Sequence, residues 1–394
     1  MRLLYLNHNM RGSGTYLRAF HLAAQAVERG HSVLLVTTSR NGRVRFRRDT
    51  DAGVEILEAP DLLVGRGRTG WDPVNALRRI RVLRSRSFDL IHAFDSRPVV
   101  IHPALAIRRL TNARLVMDWA DWWGRGGWIH DRSGWLVRTF FGPIETWYEE
   151  AFRRRADGLT VISRALAQRA RDLGIPADRI RQIPQGCVGL RCQEGDRGAA
   201  RRRLGEDGGT GLIVHVGVLT PGDLALLFAA FASVRQTMPT AVLALVGRTG
   251  ITIDPAMLPD GVRLTGAVDT QTLDDWLHAA DVAVVPCRDT IGNRGRWPSK
   301  VNDYMAAGCP VVMPHVGDVA DMIAREQLGW TTASDAGSFA RGMMSALQDR
   351  EAARAAGERA RSVAATRLSW SAVADDLFQF YDELAARNTA LAAS

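Results

Sequence analysis

Short apolar runs alternate with longer stretches of helical period along this 394-residue chain, the pattern of parallel strands buried between helices. In the first half the runs are RLLYLNH (2–8), SVLLVTT (32–38), DLIHAF (89–94), RLVMDW (114–119) and GLTVIS (158–163). Between the first two lies TYLRAFHLAAQAVERG (15–30), apolar at helical spacing and stopped by a glycine. A glycine-rich, charged stretch at 186–211 carries no sustained apolar period and predicts a linker with a short basic helix. The alternation then restarts with GLIVHVG (211–217), AVLALVG (241–247), VRLTG (262–266), DVAVVP (281–286) and PVVMP (310–314). The last segment, SWSAVADDLFQFYDELAARN (369–388), presents Val373, Leu377, Phe380, Tyr381 and Leu384 on one helical face.

The pattern predicts an α/β chain of two Rossmann-like, doubly wound domains, the first at 1–186 and the second at 187–366. Open parallel sheets bind ligands beyond the carboxyl ends of their strands, so the expected site is a cleft shared by the two halves. Composition changes the picture in one place. Of 51 Lys and Arg residues only Lys300 is a lysine, which asks what a compact ammonium does there that the wide guanidinium fork does not. The net charge of +9 favours polyanions, anionic membranes or phosphorylated substrates, without choosing among them. Four cysteines, Cys187, Cys192, Cys287 and Cys309, lack zinc-type spacing and read as thiols in a reducing compartment, with no disulfide and no metal. The N-terminal apolar run is too short for a signal sequence, and no run approaches a membrane span; both point to the cytoplasm.

Around Lys300 the sequence is RWPSKVNDYMAAGCPVV (296–312). Ser299 is the expected N-cap of a helix that runs to Gly308, with Pro310 opening a strand. Free N–H groups at that helix start and the charge of Lys300 suit a phosphate, and Asp303, one turn on, suits vicinal ribose hydroxyls; a plain Asp–Lys surface pair is the competing reading. Gly12, Ser13 and Gly14 form a second loop before a helix, where backbone N–H groups can approach phosphate or sugar, or simply make a turn.

The segment PSKVNDYMAAGCPVV resembles the donor-binding signature of the retaining GT-B glycosyltransferases of family four (glycosyl transferases group 1). GSGTYLRAFHLAAQAVERGHSVLLVTT (12–38) is similar to that family's opening loop, helix and strand, and VISRALAQRA (161–170) and IPQG (183–186) to the end of its first domain. ADVAVVP resembles the strand before the signature, and LSW (368–370) the start of a terminal helix that returns to the first domain, here 367–388. The resemblance implies a GT-B fold, with an acceptor-side first domain and a donor-binding second domain. It implies metal-free transfer of a sugar, without a bound cofactor, from a UDP- or GDP-sugar to an acceptor hydroxyl with retained configuration, in polysaccharide, glycolipid or secondary-metabolite synthesis. Expected donor-side residues are Gly12, Ser13, Gly14, Gly217, Arg248, Gly266, Arg296, Ser299, Lys300, Val301 and Asp303. Lys300, Asp118 and Asp121 are the expected catalytic groups, and Tyr16, Arg97, Trp122 and Trp123 the acceptor contacts.

The sequence departs from the family pattern in three places. Gly295 stands where an acidic side chain commonly holds the donor sugar. Val218 and Gly222 stand where an arginine and a lysine often bind phosphate, which leaves Lys300, helped by Arg248, Arg294 or Arg296. Ala120 stands where a histidine is frequent, flanked by Asp118 and Asp121. Trp119, Trp122, Trp123 and Trp128 read as a sugar-stacking wall, a membrane-dipping patch or a loop core, and ALRRIRVLRSR (76–86) as a basic amphipathic segment for anionic headgroups or a solvated helix. The rival readings are a nucleotide-sugar epimerase, a catalytically degenerate nucleotide-sugar-binding protein, and a dinucleotide oxidoreductase, the last disfavoured by the lack of GxGxxG after the first strand. Nucleic-acid-binding motifs are absent from the sequence.

Overall fold

The computed structural model describes residues 1–394 other than 43, 64–68, 133, 188–195, 207–208, 210, 255–257 and 394, and the backbone alone for 131–132 and 388–393. Cys192 and much of the 186–211 stretch therefore lie outside the described residues. The chain divides into two compact units, Met1–Gln185 with Trp370–Ser394, and Gly186–Ser369.

The first unit runs β1 (Arg2–Met10), α1 (Thr15–Glu28), β2 (Ser32–Thr38), β3 (Arg47–Asp51), β4 (Val54–Ala59), α2 (Pro73–Leu83) and β5 (Leu90–Phe94). It continues with α3 (Pro98–Thr111), β6 (Arg114–Trp119), α4 (Trp128–Arg132), α5 (Trp135–Ala151), β7 (Gly158–Val161), α6 (Arg164–Asp172) and β8 (Ile180–Gln182). Its strands order β3-β4-β2-β1-β5-β6-β7-β8, all parallel except the β3–β4 hairpin. That hairpin escapes the sequence pattern because β3, RRDTD, is a charged edge strand with no apolar face to register.

The second unit holds α7 (Arg197–Leu204), β9 (Leu212–Val216), α8 (Pro221–Thr237), β10 (Val242–Val246), β11 (Val262–Gly266), α9 (Thr270–Ala279) and β12 (Val282–Val284). It closes with α10 (Ile291–Arg294), α11 (Ser299–Ala306), β13 (Val311–Pro314), α12 (Gly317–Glu326), β14 (Gly329–Thr332), α13 (Ala336–Gln348) and α14 (Arg350–Thr366). The six strands order β11-β10-β9-β12-β13-β14 and are all parallel. Each sheet reverses direction of growth once, at β1/β5 and at β9/β12, the switch points where such sheets open a ligand site.

Helix α15 (Trp370–Ala393) belongs to the first unit. Its face of Val373, Leu377, Phe380, Tyr381 and Leu384 is buried in one core with Leu22, Leu35 and Ile56, each side chain worth about 1.5–3 kcal/mol of apolar burial. Ion pairs pin it further: Arg181 meets Asp376 and Glu383 at 2.7 Å, and Arg29 meets Asp375. Of the candidate membrane segments, α2 turns Ala76, Arg79 and Leu83 inward, and Trp119 and Trp128 are buried. Those two tryptophans are core, Trp119 at the end of β6 and Trp128 at the start of α4. No described helix is long and apolar enough to cross a membrane.

Candidate functional site

In the second unit the site grows from the carboxyl end of β9. His215 on that strand is 1% exposed, and its Nδ1 lies 2.9 Å from the Val284 carbonyl of the neighbouring strand β12. Burial, with the adjacent Lys300 charge, holds the imidazole well below its ordinary pKa, so it is neutral. The Nδ1 proton goes to Val284, which leaves Nε2 to accept from the Lys300 ammonium at 3.0 Å. A second ammonium proton reaches the Val218 carbonyl at 3.3 Å. The solitary lysine thus sits where one compact ammonium reaches both acceptors from a single flexible stem.

Helix α11 is fastened so that Lys300 stays there. The Tyr304 hydroxyl is buried and accepts from the Val216 N–H at 2.8 Å, tying the helix to the end of β9, and Trp297 donates from Nε1 to Asn302 at 2.8 Å. The helix begins one residue earlier than expected: Pro298 is the N-cap, without a side-chain cap bond, and Ser299 is the first helical residue and exposed. Val301 is fully buried in the core and its N–H bonds the Pro298 carbonyl, so neither group meets solvent. Asp303 is half-buried on the same helix.

Glycines end the three neighbouring strands. Gly217, Gly247 and Gly266 take φ of 80°, 86° and 66°, the left-handed region open to glycine at little cost, and the N–H of Gly217 bonds the Val246 carbonyl. Arg248 follows as an exposed side chain. Arg294 is bound by Asp289 at 2.6 Å, and Arg296 lies against the buried Cys287 thiol. The space left by Gly222 is filled by Arg288: a Cβ at Gly222 would collide with its guanidinium. Arg288 thus brings its guanidinium to the first turn of α8, 3.7 Å from Asp223 and beside the loop that carries Val218. Sequence reading missed it because it is remote in sequence from Gly222, and only the strand order brings β12 next to β9.

In the first unit the strands β1, β5 and β6 end at a cavity of about 350 Å³. Its lining includes His8, Gly14, Asp95, Arg97, Asp121, Trp123 and Arg153. His8 Nδ1 lies 3.3 Å from Asp95 Oδ2, and burial, with Arg97 nearby, pushes the imidazole down to about 3. Asp95 itself adopts φ 94°, a strained backbone for a non-glycine residue. Arg97, 5% exposed, donates to the Thr69 carbonyl at 2.7 Å and lies over the Trp123 ring at 5.3 Å. His8, Asp95 and Arg153 had no motif to mark them; strain at Asp95 is visible only in three dimensions.

The remaining expected residues separate. Asp118 is 1% exposed and committed: Arg18 holds both oxygens at 3.0 and 3.1 Å, and Thr160 donates at 2.7 Å. Burial raises its pKa, but Arg18, His92 and these hydrogen bonds outweigh burial and hold the carboxyl below its usual range. Asp121 lines the cavity and is half-buried. Ala120 lines it too, where no side chain is available for proton transfer. Trp122 lies outside that lining, covered by Arg169 at 4.2 Å. Tyr16 is also outside it, stacked on Phe20 at 5.8 Å, its hydroxyl pushed up to about 12 chiefly by burial. Gly12 and Gly14 take φ of 76° and 56°, Ser13 donates from its hydroxyl to the Met10 carbonyl, and a Cβ at Gly14 would collide with Asn9.

Residues 11–186 match the family described as Glycosyl transferase 4-like domain, and residues 210–349 match Glycosyl transferases group 1. A sucrose-phosphate synthase structure from Thermosynechococcus elongatus superposes over 98% of this chain and 100% of its own, with TM-score 0.73 and 17% identity. The fold is GT-B. The structure of Anabaena HepE in complex with UDP-glucose is similar too, with TM-score 0.71 and 15% identity over 98% of this chain and all of that one. A D-inositol 3-phosphate glycosyltransferase of Catenulispora acidiphila is 30% identical over 219 residues, 51% of this GT-B chain and 50% of the relative. A second, from Segniliparus rotundus, is 29% identical over 231 residues, 54% of this chain and 49% of its own. The match thus spans about half the length of each curated relative.

Proposed function

We propose that this GT-B chain is a metal-independent, retaining glycosyltransferase that uses a nucleotide-diphosphate sugar, with the second unit taking the donor and the first the acceptor. The observation that carries the reading is the Lys300 ammonium, aimed by neutral His215 and the Val218 carbonyl at the start of α11, among glycine-ended strands. UDP is the favoured nucleotide, since the similar HepE was solved with UDP and with UDP-glucose.

In the proposed step the bond between the anomeric carbon and the diphosphate breaks, an acceptor oxygen bonds that carbon on the same face, and the acceptor proton passes to the departing phosphate oxygen. Negative charge grows on the diphosphate as the bond lengthens. A fixed ammonium with helix-end N–H groups stabilises that charge more than the ground state, which is what lowers a barrier. Because the leaving group takes the proton, the reaction needs no protein base at Ala120. Arg288 stands in for the cation absent at Gly222, and Asp303 is the proposed partner of the ribose hydroxyls. In the first unit, Arg97, Asp95, His8 and Asp121 offer both donors and acceptors, suited to an acceptor rich in hydroxyls.

The test is titration of UDP, GDP and their sugars by calorimetry, followed by turnover, with wild type, Lys300→Ala and Lys300→Arg. Both variants should fold and bind nucleoside diphosphate more weakly. Equal binding and equal activity in all three would remove Lys300 from the site and sink the reading. Donor binding with neither transfer to any acceptor nor donor hydrolysis would favour the degenerate binding protein, for which Gly295 and Ala120 are the motivating positions.

A further inference from the structure

Helix α5 is built with its polarity reversed. Its carboxylates Glu145 and Glu149 are buried, and Glu150 is taken by Arg125 at 2.9 Å and Arg169 at 2.7 Å. Its apolar side chains face out instead: Leu136 is 53% exposed, Phe140 66%, Ile144 44% and Trp147 55%. These four sit at i, i+4, i+8 and i+11, one continuous stripe, and Trp135 at the helix start is 65% exposed. Isolated exposed apolar residues are ordinary, but a contiguous aromatic and aliphatic stripe marks a surface that is covered in use.

The surroundings say by what. Phe152 meets both the Trp147 ring, at 5.1 Å, and the Arg155 guanidinium, at 5.4 Å. Arg155, with Arg108 and Arg109, lines an open groove of about 520 Å³. Arg125, 73% exposed and paired with Glu150, is joined to the helix by its backbone bond to Thr146 at 2.9 Å. An apolar stripe of Trp, Phe and Leu with arginines at its rim is the composition that settles at a bilayer interface, the rings among the headgroups and the guanidinium groups on lipid phosphates. Two copies of the same face pressed together would instead bring like-charged rims into contact.

We infer that α5 is a docking surface for an anionic phospholipid bilayer, with the Arg108–Arg109–Arg155 groove taking lipid phosphate. This surface differs from both segments the sequence had suggested. Their membrane reading rested on composition, whereas α5 sits in a stretch whose apolar positions pass for core. The inference stands apart from the sugar-transfer reading, and its failure would leave that reading untouched.

Co-sedimentation of the full chain with vesicles tests it. Wild type should pellet with phosphatidylglycerol–phosphatidylcholine vesicles and stay in solution with phosphatidylcholine alone. Leu136→Ser with Phe140→Ser and Ile144→Ser, all exposed side chains, should weaken binding by at least about tenfold, since each removes buried apolar contact with the bilayer. Arg109→Glu with Arg155→Glu should do the same and abolish the preference for anionic lipid. Wild type remaining in the supernatant, or pelleting equally with both vesicles, overturns the inference. So does a dimer by light scattering in vesicle-free buffer that the triple serine variant converts to monomer, because a second copy then covers the face. Unchanged nucleoside-diphosphate binding by both variants keeps the result separate from any loss of fold or of the donor site.

Discussion

The two switch points treat charge in opposite ways. In the first unit, charges are buried against one another: Arg18 on Asp118, Arg97 on Asp95, Arg169 on Glu149. In the second, Lys300 is placed by neutral groups, an imidazole and a carbonyl. Buried mutual pairs are costly to disturb and attract little from solvent, whereas a cation oriented by neutral acceptors keeps its charge for a guest. On the proposed reading, the first region is structure that a neutral, hydroxyl-rich molecule joins, and the second receives an anion.

Breaking one partner in each region separates the two most sharply. Arg18→Ala leaves Asp118 charged and buried, and should cost about 3–5 kcal/mol of stability in urea unfolding at neutral pH. Lys300→Ala should leave that unfolding curve nearly unmoved while turnover falls about 10²–10³-fold. A large stability loss at Lys300, or none at Arg18, would erase the distinction.

Acid should unravel the first unit sooner. His8 and His92 are held at about 3 in the fold, chiefly by burial, against 6.5 unfolded. Both are neutral when folded and gain a proton on unfolding, so stability falls as pH drops from 6.5 toward 3, by up to about 1.4 kcal/mol per pH unit for each. The second unit has His215 acting in the same direction. Hydrogen exchange at decreasing pH should show first-unit amides losing protection first; simultaneous loss in both units would contradict the ordering.

The smallest contrast is between two loops. Gly14→Ala meets both a left-handed φ and the Asn9 side chain, while Gly217→Ala meets the φ with nothing within 4 Å of the new Cβ. Each should cost about 1–2 kcal/mol, with Gly14→Ala the larger. Thermal unfolding of the two variants measures the difference.

Much of this was legible beforehand. Period and length placed ten of the strands, the helix around Lys300 and the apolar face of α15, because alternating burial writes itself into composition. The charged strand β3 carried no such signal, and β8, IRQ, is too short to show a period. At the sites, residue type was legible and commitment was not. Asp118 and Asp121 looked alike in the sequence and both line the cavity, yet Asp118 is buried and locked to Arg18 while Asp121 is half-buried.

The chain by itself determined two parallel α/β halves and singled out one lysine, since periodicity and residue chemistry are local. What only tertiary structure decided was which groups meet: His215 behind Lys300, Arg288 over Gly222, Asp95 strained beside His8, and α5 with its apolar face outward. Those pairings depend on strand order and helix rotation, which set distances between residues that the sequence keeps far apart.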